Sequence, residues 1–147
     1  MCIRDSTQTV QDPDGGTPDW IEILNATGAA VDLAGWHLTD NPSDLTKWTF
    51  PAHSLAHNSR LIVWASGKNR TASAADLHTN FKLSAGDEYL ALVKPDGVTI
   101  AKDYIWGNGQ AVTRQYSDVS YGTFGSTQDE SYFAMPTPGA VLSLIHI

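Results

Sequence analysis

Three aspartates near the start of the chain form the first group whose residue types could do chemistry. Asp12 and Asp14 stand on either side of a proline in a run that ends with Gly15, and Asp19 follows five positions after Asp14. Carboxylates clustered on a glycine-containing loop are hard oxygen ligands of the kind that calcium prefers. The same residue types also make turns in which an aspartate side chain bonds its own backbone. Because the spacing lacks the glycine and glutamate positions of an EF-hand, we expect a turn, with calcium binding by Asp12, Asp14 and Asp19 as the alternative.

A serine and a histidine are the next residues whose types suggest chemistry. Ser66 stands in Trp64-Ala65-Ser66-Gly67-Lys68, which lacks the glycine two positions before the serine and the helix pattern after it. The sequence therefore does not predict the nucleophile elbow of a hydrolase. For His78 we expect a hydrogen bond to a loop backbone. No phosphate-binding loop or dinucleotide fingerprint occurs either, so we predict no catalytic residues, no cofactor and no enzyme activity.

The five tryptophans offer a binding chemistry, because exposed aromatic rings can stack on sugars or bases. Trp36 and Trp64 lie in apolar runs, and we predict that both are part of the core. Trp106 follows a predicted strand into a glycine loop. We take Trp106 and Trp48 as candidate glycan-binding residues, with core packing as the alternative.

Composition limits the classes of function. The 147 residues fit a single domain, and 41% hydrophobic against 17% charged residues is typical of a globular protein. Nine basic and sixteen acidic residues give a net charge of -7, which repels phosphate backbones and anionic lipids. We therefore expect no nucleic-acid binding. Since no apolar run approaches about 20 residues, we also expect no membrane insertion.

The two ends of the chain carry an unusual signature at the DNA level. Residues 1–6 (MCIRDS) and 142–147 (LSLIHI) back-translate to complementary strands of one oligonucleotide. No folding constraint makes two terminal peptides complementary in this way. We therefore interpret both hexapeptides as adapter-derived sequence and exclude them from arguments about the fold. Residues 7–141 then contain no cysteine, since Cys2 is the only one, so thiol chemistry and disulfides are not expected.

The elements that must position these side chains are short β-strands separated by turns. Apolar and polar residues alternate in 20–25, and a continuous apolar run covers 61–65. The turn sequence Lys94-Pro95-Asp96-Gly97 joins a predicted strand at 89–93 to another at 98–105. This pattern predicts an all-β fold of about eight or nine short strands.

Two local expectations depend on this strand assignment. Residues 71–77 fit at most one helical turn. Glu22 stands on an otherwise apolar strand, and we expect it to pair with a basic group such as Lys47.

Several motifs occur in order along residues 7–141. They are Asp19-Trp20-Ile21-Glu22-Ile23, Val31-Asp32-Leu33-Ala34-Gly35-Trp36-His37-Leu38-Thr39-Asp40, Lys47-Trp48-Thr49-Phe50-Pro51, Leu77-His78-Thr79-Asn80-Phe81-Lys82-Leu83, Asp87-Glu88-Tyr89-Leu90-Ala91-Leu92, Asp118-Val119-Ser120-Tyr121-Gly122 and Thr137-Pro138-Gly139-Ala140. Together they resemble the lamin tail domain in its bacterial form. The resemblance implies an immunoglobulin-like β-sandwich that occupies residues 7–141. The family usually opens with an apolar strand that residues 1–6 replace here, so we expect that first strand to be missing.

The resemblance also implies a function. In bacteria the family occurs as a module in larger secreted or cell-surface proteins, whose other domains, or separate proteins, would be its partners. We therefore predict a non-catalytic structural or protein-interaction module with an extracellular or cell-surface location. Glycan binding through Trp106 and Trp48 is one alternative. Nucleic-acid binding by analogy with nuclear lamin tails is a second, which the net charge of -7 disfavours.

Overall fold

The chain folds as β-strands alone in the residues that the structure describes. The computed structural model describes residues 2–4, 10–84, 88–106, 119–123 and 130–133, and no helix occurs among them. Eight of the strands have three or more residues and three have only two, so the predicted all-β class is confirmed. The strands are β1 (Cys2–Arg4), β2 (Asp19–Leu24), β3 (Val31–Asp32), β4 (His37–Thr39), β5 (Trp48–Thr49), β6 (Ser54–Leu55), β7 (Arg60–Ala65), β8 (Glu88–Val93), β9 (Ile100–Trp106), β10 (Ser120–Thr123) and β11 (Glu130–Phe133).

None of the described residues belongs to a helix that is long and apolar enough to cross a membrane.

The pairing of β2 with β7 forms one wall of the core. The two strands are antiparallel and in register over all six residues of each. Since side chains alternate between the faces of a strand, Ile21 and Val63 point into the main core, where both are fully buried. Trp20 and Trp64 lie opposite each other on the outer face, where they form a second, smaller apolar cluster with Val10. Trp64 is therefore buried as predicted, but outside the main core.

β1 lies between β2 and β10 in the same sheet. Residues 2–4 pair antiparallel with both neighbours, which gives the strand order β11-β10-β1-β2-β7. The residues that we interpret as adapter sequence thus occupy the position where we expected a strand to be missing. A ladder of backbone hydrogen bonds can form there because such bonds do not require particular side chains.

The second sheet has the order β5-β4-β8-β9, and β3 and β6 form a separate two-stranded pair. The central feature of the four-stranded sheet is the β8–β9 hairpin, which the turn sequence predicted. The amide of Lys94 donates to the carbonyl of Thr99 at 2.8 Å, and Gly97 adopts a φ of 71° that a side chain would disfavour. A register shift between Leu92 and Val93 marks a bulge before the turn.

The main core lies between the two larger sheets, as expected for a β-sandwich. The indole ring of Trp48 packs edge-on against Phe50 with ring centroids 4.8 Å apart, and the ring of Trp36 packs against the cluster from a half-buried position. The most buried members of this core come from several strands of both sheets and from the segment after β7, and include Ile21, Leu38, Val63, Leu77 and Leu90.

Two local expectations need correction. Glu22 pairs with a basic group, as expected, but the partner is Arg60, whose Nε lies 3.3 Å from a Glu22 carboxylate oxygen, while Lys47 pairs with Asp40 at 2.6 Å. The register of β2 against β7 explains the first pair, because it places Arg60 beside Glu22 on the outer face. Residues 71–77 form bends and turns rather than a helical turn.

A pair of substitutions in the β8–β9 hairpin tests this assignment of the core. Leu90 is fully buried and Val98 is 70% exposed. Leu90→Ala should lower the free energy of unfolding by about 2–5 kcal/mol, because it leaves a cavity between the sheets. Val98→Ala should change it by less than about 0.5 kcal/mol. Urea unfolding of both variants measures the difference, and similar losses for the two would contradict the packing described here.

Candidate functional site

The loop before β2 is a turn that Asp12 holds together from inside. One carboxylate oxygen of Asp12 accepts hydrogen bonds from the amides of Asp14, at 3.1 Å, and Gly16, at 2.7 Å. Gly15 has a φ of 80°, which its lack of a side chain permits. The predicted turn, in which an aspartate bonds its own backbone, is therefore present.

Two cations of the same chain bind the carboxylates of this loop. Lys68 Nζ lies 2.5 Å from Asp12 and 2.7 Å from Asp14, and Arg70 Nη2 lies 2.8 Å from Asp14. Hydrogen bonds from Arg70 and Lys68 hold the pKa of Asp14 far below its usual 3.8. Burial acts to raise the pKa of Asp12, but the hydrogen bonds from Lys68 and Gly16 outweigh it and leave that pKa lowered. The loop is thereby fixed to the turn that follows β7.

The third aspartate of the calcium hypothesis is Asp19, the first residue of β2, which is buried and lines the same groove as Asp12. The described part of the chain has no group of three or more histidine, cysteine, aspartate or glutamate side chains that could hold a metal ion. Of the three carboxylates considered as calcium ligands, Asp12 contacts Lys68 and Asp14 contacts Arg70.

A chain of hydrogen bonds through His78 lies next to these ion pairs. His78 Nδ1 lies 2.8 Å from Ser66 Oγ, and His78 Nε2 lies 2.7 Å from a carboxylate oxygen of Asp76. The other carboxylate oxygen of Asp76 accepts a hydrogen bond from Arg70 Nη1 at 3.3 Å. The imidazole itself is fully buried. The expectation that His78 bonds a loop backbone with its ring is therefore wrong, because both ring nitrogens contact side chains.

The end of β7 and the segment after it bring these groups together. Ser66 follows the last residue of β7, and Gly67, with a φ of 77°, turns the chain sharply after it. Residues 70 and 78 then form an antiparallel bridge in which each amide donates to the other carbonyl at 2.9 Å. Asp76 and His78 are two positions apart, the spacing that puts two side chains on the same side of an extended segment.

Two grooves flank the loop that contains Asp12. A groove of about 400 Å³ is lined by Ser66, Lys68 and Lys82 on one side and by residues 16–19 on the other. A second groove of about 530 Å³ lies between residues 10–13 and β7, with Trp64 and Ile62 in its lining. Ser66 is half-buried, so its hydroxyl lies between the buried imidazole and the first of these grooves.

The tryptophans chosen as glycan-binding candidates do not form a binding face in the described residues. Trp48 is only 2% exposed, because β5 places its ring against Phe50 inside the sandwich. Its selection as an exposed aromatic is therefore wrong. The backbone of Trp106 ends β9, but its side chain lies outside the part of the structure that is described.

Sequence reasoning missed Asp76, Arg70 and Lys68 as parts of this site. It considered Ser66 and His78 separately, rejecting Ser66 for the missing glycine and helix of a nucleophile elbow and expecting a loop-backbone bond for His78. Twelve positions separate the two residues, and no motif joins them. The available signals were the sharp Ser66-Gly67 exit from a buried strand and the alternate spacing of Asp76 and His78.

The lowered pKa of Asp14 predicts a specific pH dependence. Because the folded-state pKa is below the ordinary 3.8, the ionised carboxylate stabilises the fold above that pH, and this stabilisation is lost as the pH falls through the folded-state value. Asp14→Asn should therefore lower the urea midpoint near pH 7, and the difference from the unmodified chain should shrink below about pH 4.

The control is Asp103→Asn, which removes an exposed carboxylate of β9 outside this cluster. It should not reproduce the pH-dependent difference. An effect of Asp14→Asn that is equally large near pH 7 and near pH 2 would show that the ion pairs are not its cause.

Comparison with known protein families gives a match that covers most of the described chain. The family model described as Lamin Tail Domain matches residues 7–108, which is more than half of the chain. No curated protein and no solved structure gives a significant match. The match agrees with the observed sandwich, because lamin tail domains have an immunoglobulin-like fold. The family is a non-enzymatic one. The chain belongs to the lamin tail domain family.

Proposed function

We propose that this chain is a non-catalytic module that makes protein contacts within a larger secreted or cell-surface protein. Membership of a non-enzymatic, immunoglobulin-like family supports a role in binding or spacing. Ion pairs within the chain are consistent with such a role, because the charges that form them stabilise the fold rather than serve a reaction. They involve Asp12, Asp14, Lys68 and Arg70.

The observation that carries the proposal is a set of exposed aliphatic side chains on the β8–β9 hairpin. Val98 is 70% exposed, Ile100 is 42% exposed and Ile105 is 51% exposed. All three are β-branched residues on β9 or in the turn before it. Covering exposed aliphatic side chains with a partner is favourable, because it removes apolar surface from water. We therefore assign the contact surface to this hairpin and its partner to a protein segment with apolar side chains.

A library of random peptides displayed on phage tests this assignment, because it offers the hairpin many partner sequences at once. The library is selected on the unmodified chain, and each recovered peptide is then titrated against a variant that carries Val98→Thr, Ile100→Thr and Ile105→Thr. Threonine keeps the β-branched shape and removes apolar surface, so selected peptides should bind the variant at least about tenfold more weakly in a titration.

The matched control is Ala52→Thr, which adds a threonine at an exposed position between β5 and β6. It should bind the selected peptides as the unmodified chain does. Recovery only of peptides that bind the triple variant equally well would contradict the assignment of the contact surface to this hairpin.

Glycan binding is a second candidate, supported only by the groove of about 530 Å³ whose lining includes Trp64. Trp64 is 7% exposed, so little of its ring is available for a sugar to stack on. A glycan array with neutral and acidic sugars decides between the two. A ligand whose binding is lost in Trp64→Phe would favour the glycan role.

Nucleic-acid binding has less support than either. The cations Lys47, Arg60, Lys68 and Arg70 all pair with carboxylates of the chain, so their charge is already neutralised where phosphates would have to approach. We expect no band shift with DNA at physiological salt.

A further inference from the structure

The hydrogen bonds of His78 select one tautomer of its neutral ring. An ionised carboxylate can only accept, so the contact of Asp76 with Nε2 requires that this nitrogen carries the hydrogen. In the neutral ring Nδ1 then has a free lone pair, which can accept a hydrogen bond from the Ser66 hydroxyl 2.8 Å away. Arg70 holds Asp76 from the opposite oxygen at 3.3 Å. The three side chains thus have the polarity of a base-activated serine.

The burial of the hydrogen-bonded side chains of Ser66, His78 and Asp76 determines which atom can react. The imidazole of His78 is fully buried, so a molecule in solution cannot reach its ring. Ser66 is half-buried and lines the groove of about 400 Å³ together with Lys68 and Lys82. The backbone amide of Lys68 also donates to Ser66 Oγ at 3.2 Å, which keeps the oxygen near the groove. Of Ser66, His78 and Asp76, only Ser66 lines this groove, so its hydroxyl oxygen is the group that an electrophile bound there would meet.

We propose that Ser66 is an activated nucleophile that accepts an acyl group from esters with a good leaving group, such as aryl esters of short carboxylic acids. In this step the Oγ–H proton passes to His78 Nδ1 while Oγ forms a bond to the acyl carbon. The bond from that carbon to the aryl oxygen breaks, and the aryl oxide leaves with the electron pair. The proton stays on Nδ1, and the resulting imidazolium is paired with the carboxylate of Asp76. Asp76 is a positioning residue, because it keeps Nδ1 free to accept.

Burial of the imidazole also predicts where the reaction stops. A poor leaving group needs a proton from the base as it departs, and the buried ring cannot deliver one to a molecule in the groove. Hydrolysis of the acylated serine needs a water molecule beside the same ring. We therefore expect one acyl group per chain and slow release, rather than turnover.

The test uses the full chain with p-nitrophenyl acetate. The expected result is a rapid release of about one equivalent of p-nitrophenolate per chain, followed by a much slower phase. Mass spectrometry of a digest should find the acetyl group on the peptide that contains Ser66, with much less on the exposed Ser43. A fluorophosphonate probe should label the same peptide, with fluoride as the leaving group.

Three variants separate activation from incidental reactivity. Ser66→Ala should abolish the burst and Ser43→Ala should leave it unchanged. Asp76→Asn should slow acylation about 100-fold, without changing the ester concentration at half-maximal rate, if the carboxylate acts through the imidazole. Circular dichroism and urea unfolding should show that each variant is folded.

Several outcomes would overturn the proposal. They are the absence of a burst, acetyl groups spread evenly over exposed serines and lysines, and a folded Asp76→Asn variant that reacts at the normal rate. The proposed function as a contact module needs no reaction at Ser66, so it would remain valid after any of these results.

Discussion

The antiparallel pairing of β2 with β7 is the interaction on which most of this structure depends. It turns Ile21 and Val63 towards the second sheet and Trp20 and Trp64 towards the outside, so one register decides the contents of both apolar clusters. The same register sets what lies at its end. Asp19 is opposite Ala65, and therefore the Asp12 loop before β2 meets the Ser66 turn after β7.

The charged groups at this end of the sheet explain how an acidic chain stabilises a tight loop. Asp12 is buried, and both of its carboxylate oxygens have partners. One accepts hydrogen bonds from two backbone amides and the other binds Lys68. A buried carboxylate without such partners would be costly. Lys68 and Arg70 each contact two acidic groups, so the loop and the segment around Asp76 are joined through shared cations.

The sequence predicted those features that local chemistry decides. Alternating residues located β2, and the Lys94-Pro95-Asp96-Gly97 turn located the β8–β9 hairpin, because strand period and turn residues act over a few positions. The fate of Trp48 was not predictable in this way. Its strand has only two residues, too few for an alternation pattern to show which face is inside.

The other contacts that the sequence could not predict are those between segments far apart in the chain. The partner of Glu22 is Arg60 rather than Lys47, which follows only from the register of two strands far apart in the chain. The contacts of His78 with Ser66 and Asp76 depend in the same way on the bridge between residues 70 and 78. Each residue alone is compatible with an ordinary loop, and only the folded chain brings the three together.

The strand order of the first sheet has a consequence for how the chain acquires its fold. β2 must find β7 across the 35 residues that lie between Leu24 and Arg60. Contacts of such large sequence separation form slowly, because loop closure costs entropy before the contacts repay it. During synthesis the early strands therefore wait with unpaired backbone and apolar faces until the late ones emerge from the ribosome. In a polypeptide with several domains, this interval is when strands of neighbouring units could pair wrongly, and chaperones would have most to protect.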